Sequence, residues 1–209
     1  VGTYRLTFAK TGGGLTAATQ DVALTPAAAN SISITTSAAG AVSGVDLTTQ
    51  PIVKVIDIDG NTITSGTGSD ATIAAALTGG SASISGTTSV QSVNGVATFT
   101  NLRVTGTAAS YTLNFAVTTP ASLNTFTTSQ SISLTHGAAT QLSISTQAAG
   151  ATSGAAFTTQ PVVRVLDAQG NLVANSNLYI QVATTSSTAT LGGPMSGVSA
   201  QSGIASFGG

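Results

Sequence analysis

TTQPIVKVIDIDGN, residues 48–61, returns 110 positions later as TTQPVVRVLDAQGN, residues 158–171. At this offset, residues 26–61 and 136–171 share about 20 identities in 36 aligned pairs, which marks an internal repeat. Downstream, GVATF at 95–99 returns as GIASF at 203–207. Upstream, YRLTF at 4–8 returns as YTLNF at 111–115. The repeat period is therefore roughly 108 residues, with small differences in loop length.

Each copy of the repeat carries the hydrophobic pattern of β-strands. Tyr111, Leu113, Phe115 and Val117 alternate with Thr, Asn and Ala, a period of two that turns one face of a strand inward. Turn dipeptides such as Asn94-Gly95 separate the strands, and no window of helix length shows apolar residues at helical spacing. Short strands in a unit of this length predict an all-β fold of tandem immunoglobulin-like antiparallel β-sandwiches.

The alignment of the repeats predicts one complete unit and two partial ones. Residues 29–136 form the complete sandwich, and residues 137–209 form a sandwich that lacks its last strands, those equivalent to residues 102–135. Residues 1–28 correspond to the C-terminal strands of a preceding or donor unit. The chain thus has the character of a window from something longer, or of a processed chain.

Two arrangements would complete the partial units. In the first, the chain is a segment of a long tandem array. In the second, subunits join head to tail, and residues 1–25 of one subunit add to the open sandwich of the next by donor-strand exchange. The second arrangement is a heterologous, non-closing contact and predicts a filament. The apolar residues predicted to carry the assembly strands are Tyr4, Leu6, Phe8, Val22 and Leu24.

The same motifs resemble a known group of proteins. The TTQP run, the Val-x-Val strand, the Asp-x-x-Gly-Asn turn and the later GVATF and YTLNF strands are similar to bacterial immunoglobulin-like tandem repeats. Repeats of this kind occur in invasin- and intimin-type proteins, in large adhesins and in surface-layer proteins. The resemblance implies spacer or assembly modules outside the cell, and it specifies the module better than its task.

The composition excludes several classes of function. Charged residues make up only 5% of the chain, the net charge is −1, and no Cys, Trp or Glu is present. A thiolate metal site or a disulfide cannot form, and a nucleic acid or an anionic membrane finds no basic face. No apolar run approaches the roughly 18 residues that would span a bilayer. Ser and Thr, about 30% of the residues, favour an extracellular or cell-surface structural protein over an enzyme.

The Asp-x-x-Gly-Asn turns are the strongest candidates for a ligand site. Asp57, Asp59 and Asp167 are oxygen donors that could contribute to a calcium site, with Asp21, Asp46 and Asp70 as further carboxylates. An EF-hand would need more ligands and a terminal Glu. The sequence therefore favours turn capping by Asp57 and Asp167, with Gly60 and Gly170 at positive φ, and predicts no cofactor unless calcium binds.

Other chemistry-bearing residues stand alone in the sequence. His136 is the only imidazole and aligns with Pro26 at a junction between units, so we expect a linker residue and not a catalytic base. Lys54 and Arg164 occupy equivalent strand positions and are expected to keep a sheet face soluble. The predicted function is a structural module with itself as partner, through other subunits or neighbouring repeats. The alternative is an adhesin module that binds a receptor or a glycan.

Overall fold

The computed structural model describes residues 1–185, 188, 190–193 and 197–208, and every sheet in it pairs its strands antiparallel. This confirms the all-β prediction. The elements are β1 Gly2–Phe8, β2 Ala18–Leu24, β3 Ser31–Thr36, β4 Val45–Asp46, β5 Ile52–Ile56, β6 Thr72–Thr78, β7 Ser83–Ser85, β8 Ser89–Gln91, β9 Val96–Thr98, β10 Arg103–Thr105, β11 Ser110–Thr119, a 3₁₀ turn Ala121–Leu123, β12 Thr127–Ser133, β13 Gln141–Thr146, β14 Val162–Leu166, β15 Tyr179–Ile180, β16 Val198–Ser199 and β17 Ile204–Ser206.

Residues 29–136, here called the central unit, form a β-sandwich around one core. A four-stranded sheet of order β12-β11-β6-β8 packs with two three-stranded sheets of orders β3-β5-β9 and β4-β10-β7. The alternation in β11 is realised, because Tyr111, Leu113, Phe115 and Val117 are all buried. The ring of Phe99, directly after β9, packs on the ring of Phe115 in β11 at a centroid distance of 5.4 Å.

The hairpin turn predicted at Asn94-Gly95 is present. Asn94 and Gly95 both adopt positive φ, and Val93 and Val96 exchange backbone hydrogen bonds around them. Two consecutive residues at positive φ are the mark of a type I′ turn, whose twist matches that of the flanking strands. The turn places β9 next to β5, so the GVATF motif becomes part of the core sheet.

Two further bodies flank the central unit. Strands β1 and β2 with their loop, residues 2–24, form a two-stranded sheet here called the N-terminal hairpin. The described residues from 137 to 208, here called the C-terminal unit, hold the sheet β13-β14-β17 and the pair β15-β16. The buried apolar residues form two clusters, one from Ile32 to Leu134 and a smaller one from Val165 to Phe207.

Candidate assembly surfaces

The N-terminal hairpin has the same strand register as the last hairpin of the central unit. In β1 and β2, Tyr4 lies opposite Val22, and Leu6 lies opposite Gln20. In β11 and β12, Tyr111 lies opposite Ile132, and Leu113 lies opposite Gln130. The two hairpins therefore present equivalent side chains on equivalent faces, because neighbouring positions in a strand alternate between the two faces of a sheet.

The two hairpins differ in what covers their apolar face. The five apolar residues predicted for assembly are between 39% and 58% exposed in the N-terminal hairpin. Their equivalents in β11 and β12 are at most 4% exposed. The pairs are Tyr4 with Tyr111, Leu6 with Leu113, Phe8 with Phe115, Val22 with Ile132 and Leu24 with Leu134. An exposed apolar face of this kind is a candidate interaction surface.

The C-terminal unit also exposes apolar side chains and a strand edge. Leu142 and Ile144 on β13 are 55% and 61% exposed, whereas the equivalent Ile32 is buried and Ile34 is half-buried in the central unit. In the central unit β6 pairs with β11 on one side and β8 on the other, whereas its counterpart β15 pairs with β16 alone among the described strands. The exposed side chains and the open strand edge lie where the central unit receives β11 and β12.

The Asp-x-x-Gly-Asn turns are capped by their own aspartates. Asp57 Oδ1 accepts hydrogen bonds from the backbone N–H groups of Asp59 at 3.0 Å and Asn61 at 2.8 Å, and Asp167 repeats this geometry. Gly60 and Gly170 have φ of 83° and 80°, as the turn requires. The predicted capping is confirmed, and the shared Asp-x-x-Gly-Asn spacing explains why both copies fold alike.

The capping aspartates also hold the segments that join one body to the next. Asp57 Oδ2 accepts a hydrogen bond from Ala27 N–H at 3.0 Å, and Asp167 Oδ2 accepts one from Gly137 N–H at 2.7 Å. Ala27 and Gly137 are equivalent positions. Ala27 lies between the N-terminal hairpin and the central unit, and Gly137 directly follows the central unit. We call residues 57–61 and 167–171 the first and second junction turns.

Asparagines of the junction turns reach across to the preceding body. Asn171 accepts a hydrogen bond from Ala108 N–H at 2.7 Å and donates one to the Gly106 carbonyl at 2.9 Å. In the first junction turn, Asn61 accepts one from the Val1 amino group at 3.4 Å, and Val1 aligns with Ala108. The two junctions therefore have equivalent contacts. In the sequence, the only sign of these contacts is that the same asparagine occurs in both copies.

The hydrogen bonds around the two aspartates set their electrostatics. Burial alone would raise the pKa of Asp57, but hydrogen bonds from Asn61, Ala27 and Asp59 outweigh burial and lower that pKa. The pKa of Asp167 is lowered in the same way, by bonds from Asn171, Gly137 and Gln169 against the opposing effect of burial. Both side chains are almost fully buried and are therefore held as carboxylates by N–H donors.

The calcium candidates are either engaged in other hydrogen bonds or exposed. The oxygens of Asp57 and Asp167 are engaged by N–H donors, and Asp59 is exposed. Among the described residues, no group of three or more His, Cys, Asp and Glu side chains could hold a metal ion. Asp21 and Asp46 form exposed ion pairs with Arg5 and Arg103, each at 2.8 Å. The geometry favours the capping interpretation of the turns.

The remaining candidates are not brought together. His136 is half-buried at the junction, where Nδ1 lies 2.9 Å from the Gly137 carbonyl oxygen. Lys54 is half-buried on β5, and Arg164 is exposed on β14. Asp70 lines an open polar cleft with Gln91 and neighbouring loop residues. The part of the chain that the structure describes contains no helix long and apolar enough to cross a bilayer.

Comparison with known proteins adds little to this geometry. No known protein family matches the sequence, and no curated protein is detectably similar. Among solved structures, the fold is similar to part of a glycosyl hydrolase family 2 member from Bacteroides cellulosilyticus, with 16% identity and a TM-score of 0.39. The match covers 64% of this chain and only 17% of that protein.

Proposed function

We propose that the chain is a structural repeat module of an extracellular filament, surface layer or giant adhesin. Its N-terminal hairpin completes the open sandwich of the C-terminal unit in the next copy of the repeat. The observation that carries the proposal is the match between the two exposed surfaces. The hairpin exposes the side chains that β11 and β12 bury, and the C-terminal unit exposes the face that they cover.

The energetics favour such completion. An open sandwich leaves apolar side chains and unpaired backbone groups at a strand edge, and both are stabilised by an added strand pair. Full burial of a Leu, Phe or Val side chain contributes about 1.5–3 kcal/mol, and side chains that are 39–58% exposed in the single chain would each contribute about half of that. Donor and acceptor surfaces lie on opposite bodies of the chain, so copies join head to tail and the assembly grows linearly.

The composition supports a passive mechanical role. With 5% charged residues, a single His and no Cys, the chain offers few groups for acid–base or nucleophilic chemistry, and we assign it no enzymatic activity. A surface rich in Ser and Thr with little charge suits a protein exposed outside the cell. The resemblance to bacterial immunoglobulin-like repeats agrees with both points.

Two complementary variants test the proposal. Leu6→Asp places a charge on the hairpin face, and Leu142→Asp places one on the open face of the C-terminal unit. Each side chain is about half exposed in the single chain, so folding of the chain itself should be preserved. If the interface forms, either carboxylate would be buried there without an opposite charge or a hydrogen-bond donor, which would strongly destabilise the assembly. Thr3→Asp and Ser145→Asp are the matched controls, because these residues are exposed and their equivalents Ser110 and Thr35 stay exposed in the central unit.

The expected result is specific to a heterologous contact. Wild-type chain and both controls form linear oligomers that lengthen with concentration, as followed by sedimentation velocity and electron microscopy. Each Asp variant alone stays monomeric, and an equimolar mixture, refolded together from denaturant, gives a dimer and nothing larger. A wild-type chain that is monomeric at all concentrations, or Asp variants that assemble as the controls do, would overturn the proposal.

Intact mass of the natural material distinguishes the two arrangements of the repeat. A mass near 20.2 kDa in denaturant, with or without glycan increments, means discrete subunits joined by strand exchange. A mass many times larger means one covalent array, in which neighbouring repeats supply the same contacts. The complementary surfaces serve in either arrangement.

A further inference from the structure

The central unit contains a polar contact that fixes the position of its last hairpin. Gln130 on β12 donates a hydrogen bond from Nε2 to the Ala38 carbonyl oxygen at 2.9 Å, and its Oε1 accepts one from Ala38 N–H at 2.9 Å. A side-chain amide thus satisfies both backbone groups of a residue 92 positions away in the chain. Ala38 is itself buried, so losing the amide would leave its donor and acceptor unpaired.

A second contact follows on the same hairpin. Thr135, just after β12, donates its backbone N–H to the Ala41 carbonyl oxygen at 3.0 Å and accepts a hydrogen bond from Ser43 N–H at 3.0 Å. These bonds continue the pairing beyond the end of the strand, and Thr135 forms a parallel bridge with Val42. Together, Gln130 and Thr135 bind the hairpin to residues 38–43.

Both halves of this contact recur in the chain without their partners. Gln20 and Thr25 of the N-terminal segment are the equivalents of Gln130 and Thr135, at an offset of 110. Ala148, Ala151 and Ser153 of the C-terminal unit are the equivalents of Ala38, Ala41 and Ser43. In the described part of the chain, these five residues are exposed and have no hydrogen bond at the equivalent atoms.

We infer that Gln20 is the residue that sets the register between copies. On insertion, its amide donates to the Ala148 carbonyl oxygen and accepts from Ala148 N–H, while Thr25 pairs with Ala151 and Ser153. This inference rests on the proposed function and names the partner segment as residues 148–153 of a second copy. Apolar side chains attract the hairpin without direction, whereas an amide that must meet both the N–H and the C=O of one residue allows a single register.

The test uses Gln20→Ala and, as its matched control, Thr19→Ala. Thr19 is the neighbouring β2 residue, and its equivalent Ser129 stays exposed on the outer face of β12. Each change is placed in the Leu142→Asp chain, which can supply only a hairpin. Its partner is the Leu6→Asp chain, which can supply only an open C-terminal unit. Equilibrium sedimentation measures the dissociation constant of this pair. Loss of two ordinary hydrogen bonds should weaken association roughly 5- to 150-fold with Gln20→Ala. The control should change it by less than about 3-fold.

Hydrogen exchange at single amides gives a readout that affinity alone does not. In the unmodified pair, the Ala148 amide of the acceptor becomes protected, and Gln20→Ala removes that protection while Ser153 stays protected through Thr25. Association with an unprotected Ala148 amide, or an unchanged affinity with Gln20→Ala, would overturn the register assignment and leave the proposed function standing. Absence of association between the unmodified partners would overturn the proposed function instead.

Discussion

Truncation of two equivalent leucines, Leu113 and Leu6, should affect two different properties of the protein. Leu113 is fully buried in the central unit, and Leu6, its equivalent on β1, is 45% exposed in the single chain. Leu113→Ala removes atoms from a finished core, so we expect it to lower the free energy of unfolding of the central unit. Leu6→Ala removes the same atoms from a surface that is completed only in the assembly, so we expect it to lower affinity between copies.

The size of both effects follows from the burial of Leu113. Leu→Ala at a fully buried site costs about 2–5 kcal/mol, through the lost transfer free energy and the cavity left behind. Leu6 is 45% exposed in the single chain, so burying it in the next copy as Leu113 is buried removes about half as much area from water. Leu6→Ala should therefore cost association about half as much, roughly 1–2.5 kcal/mol. At about 1.4 kcal/mol for each factor of ten, the dissociation constant should rise roughly 5- to 60-fold.

The assay needs a defined dimer and a stability measurement. The Leu142→Asp chain carrying Leu6 or Leu6→Ala is refolded together with the Leu6→Asp chain, and the dissociation constant is read from equilibrium sedimentation. Urea unfolding of the Leu142→Asp chain with no further change, with Leu6→Ala or with Leu113→Ala reports the stability of the central unit, and only Leu113→Ala should shift the midpoint. Thr3→Ala is the control on β1. A rise below about 3-fold with Leu6→Ala, or an equal rise with Thr3→Ala, would refute the assigned face of the hairpin.

Three further outcomes follow from the junctions and the loops. The pKa of Asp57 is lowered in the folded chain, so the Asp57 carboxylate stabilises the fold fully above the ordinary Asp pKa of about 3.9, and this stabilisation is lost as the pH falls below that value. The melting temperature of Asp57→Asn should therefore fall less steeply with acid than that of the wild type. An identical slope for the two proteins would contradict this assignment. Asn171→Ala should leave both units folded but broaden spin-label distances between them, since it removes the bonds to Gly106 and Ala108; an unchanged distribution would show that other contacts hold the junction. Gly86→Ala should lower the midpoint of urea unfolding further than Gly60→Ala does. Both glycines have positive φ, but of the two only the new Cβ at Gly86 would collide with backbone atoms, those of Asn101. Equal losses of stability would refute this steric argument.

The sequence pattern predicted the all-β class, the turns and the inward face of β11. The alternation of Leu178, Ile180 and Val182 predicted another inward face, but Leu178 is 51% exposed and the strand there spans only Tyr179–Ile180. Alternation in β11 identified Leu113 and Phe115 as core residues, and the two Asp-x-x-Gly-Asn runs identified capped turns, because both signals act over a few neighbouring residues. The repeat offset also identified the hairpin residues that correspond to β11 and β12. It did not predict the contacts that Asn61 and Asn171 make across the junctions, nor a role for Gln20, although the recurrence of these residues at the repeat offset was a signal that could have found them.

What the sequence by itself determined is therefore local: an all-β repeat, the apolar side of each strand and the conformation of its turns. Only the tertiary structure decided which apolar sides are covered. Leu6 and Leu113 stand in the same pattern, yet one is exposed and the other buried, because burial depends on the sheet packed opposite and not on the strand itself. The same holds for Gln130, whose partner Ala38 lies 92 residues away and is reached only once two sheets have closed around one core.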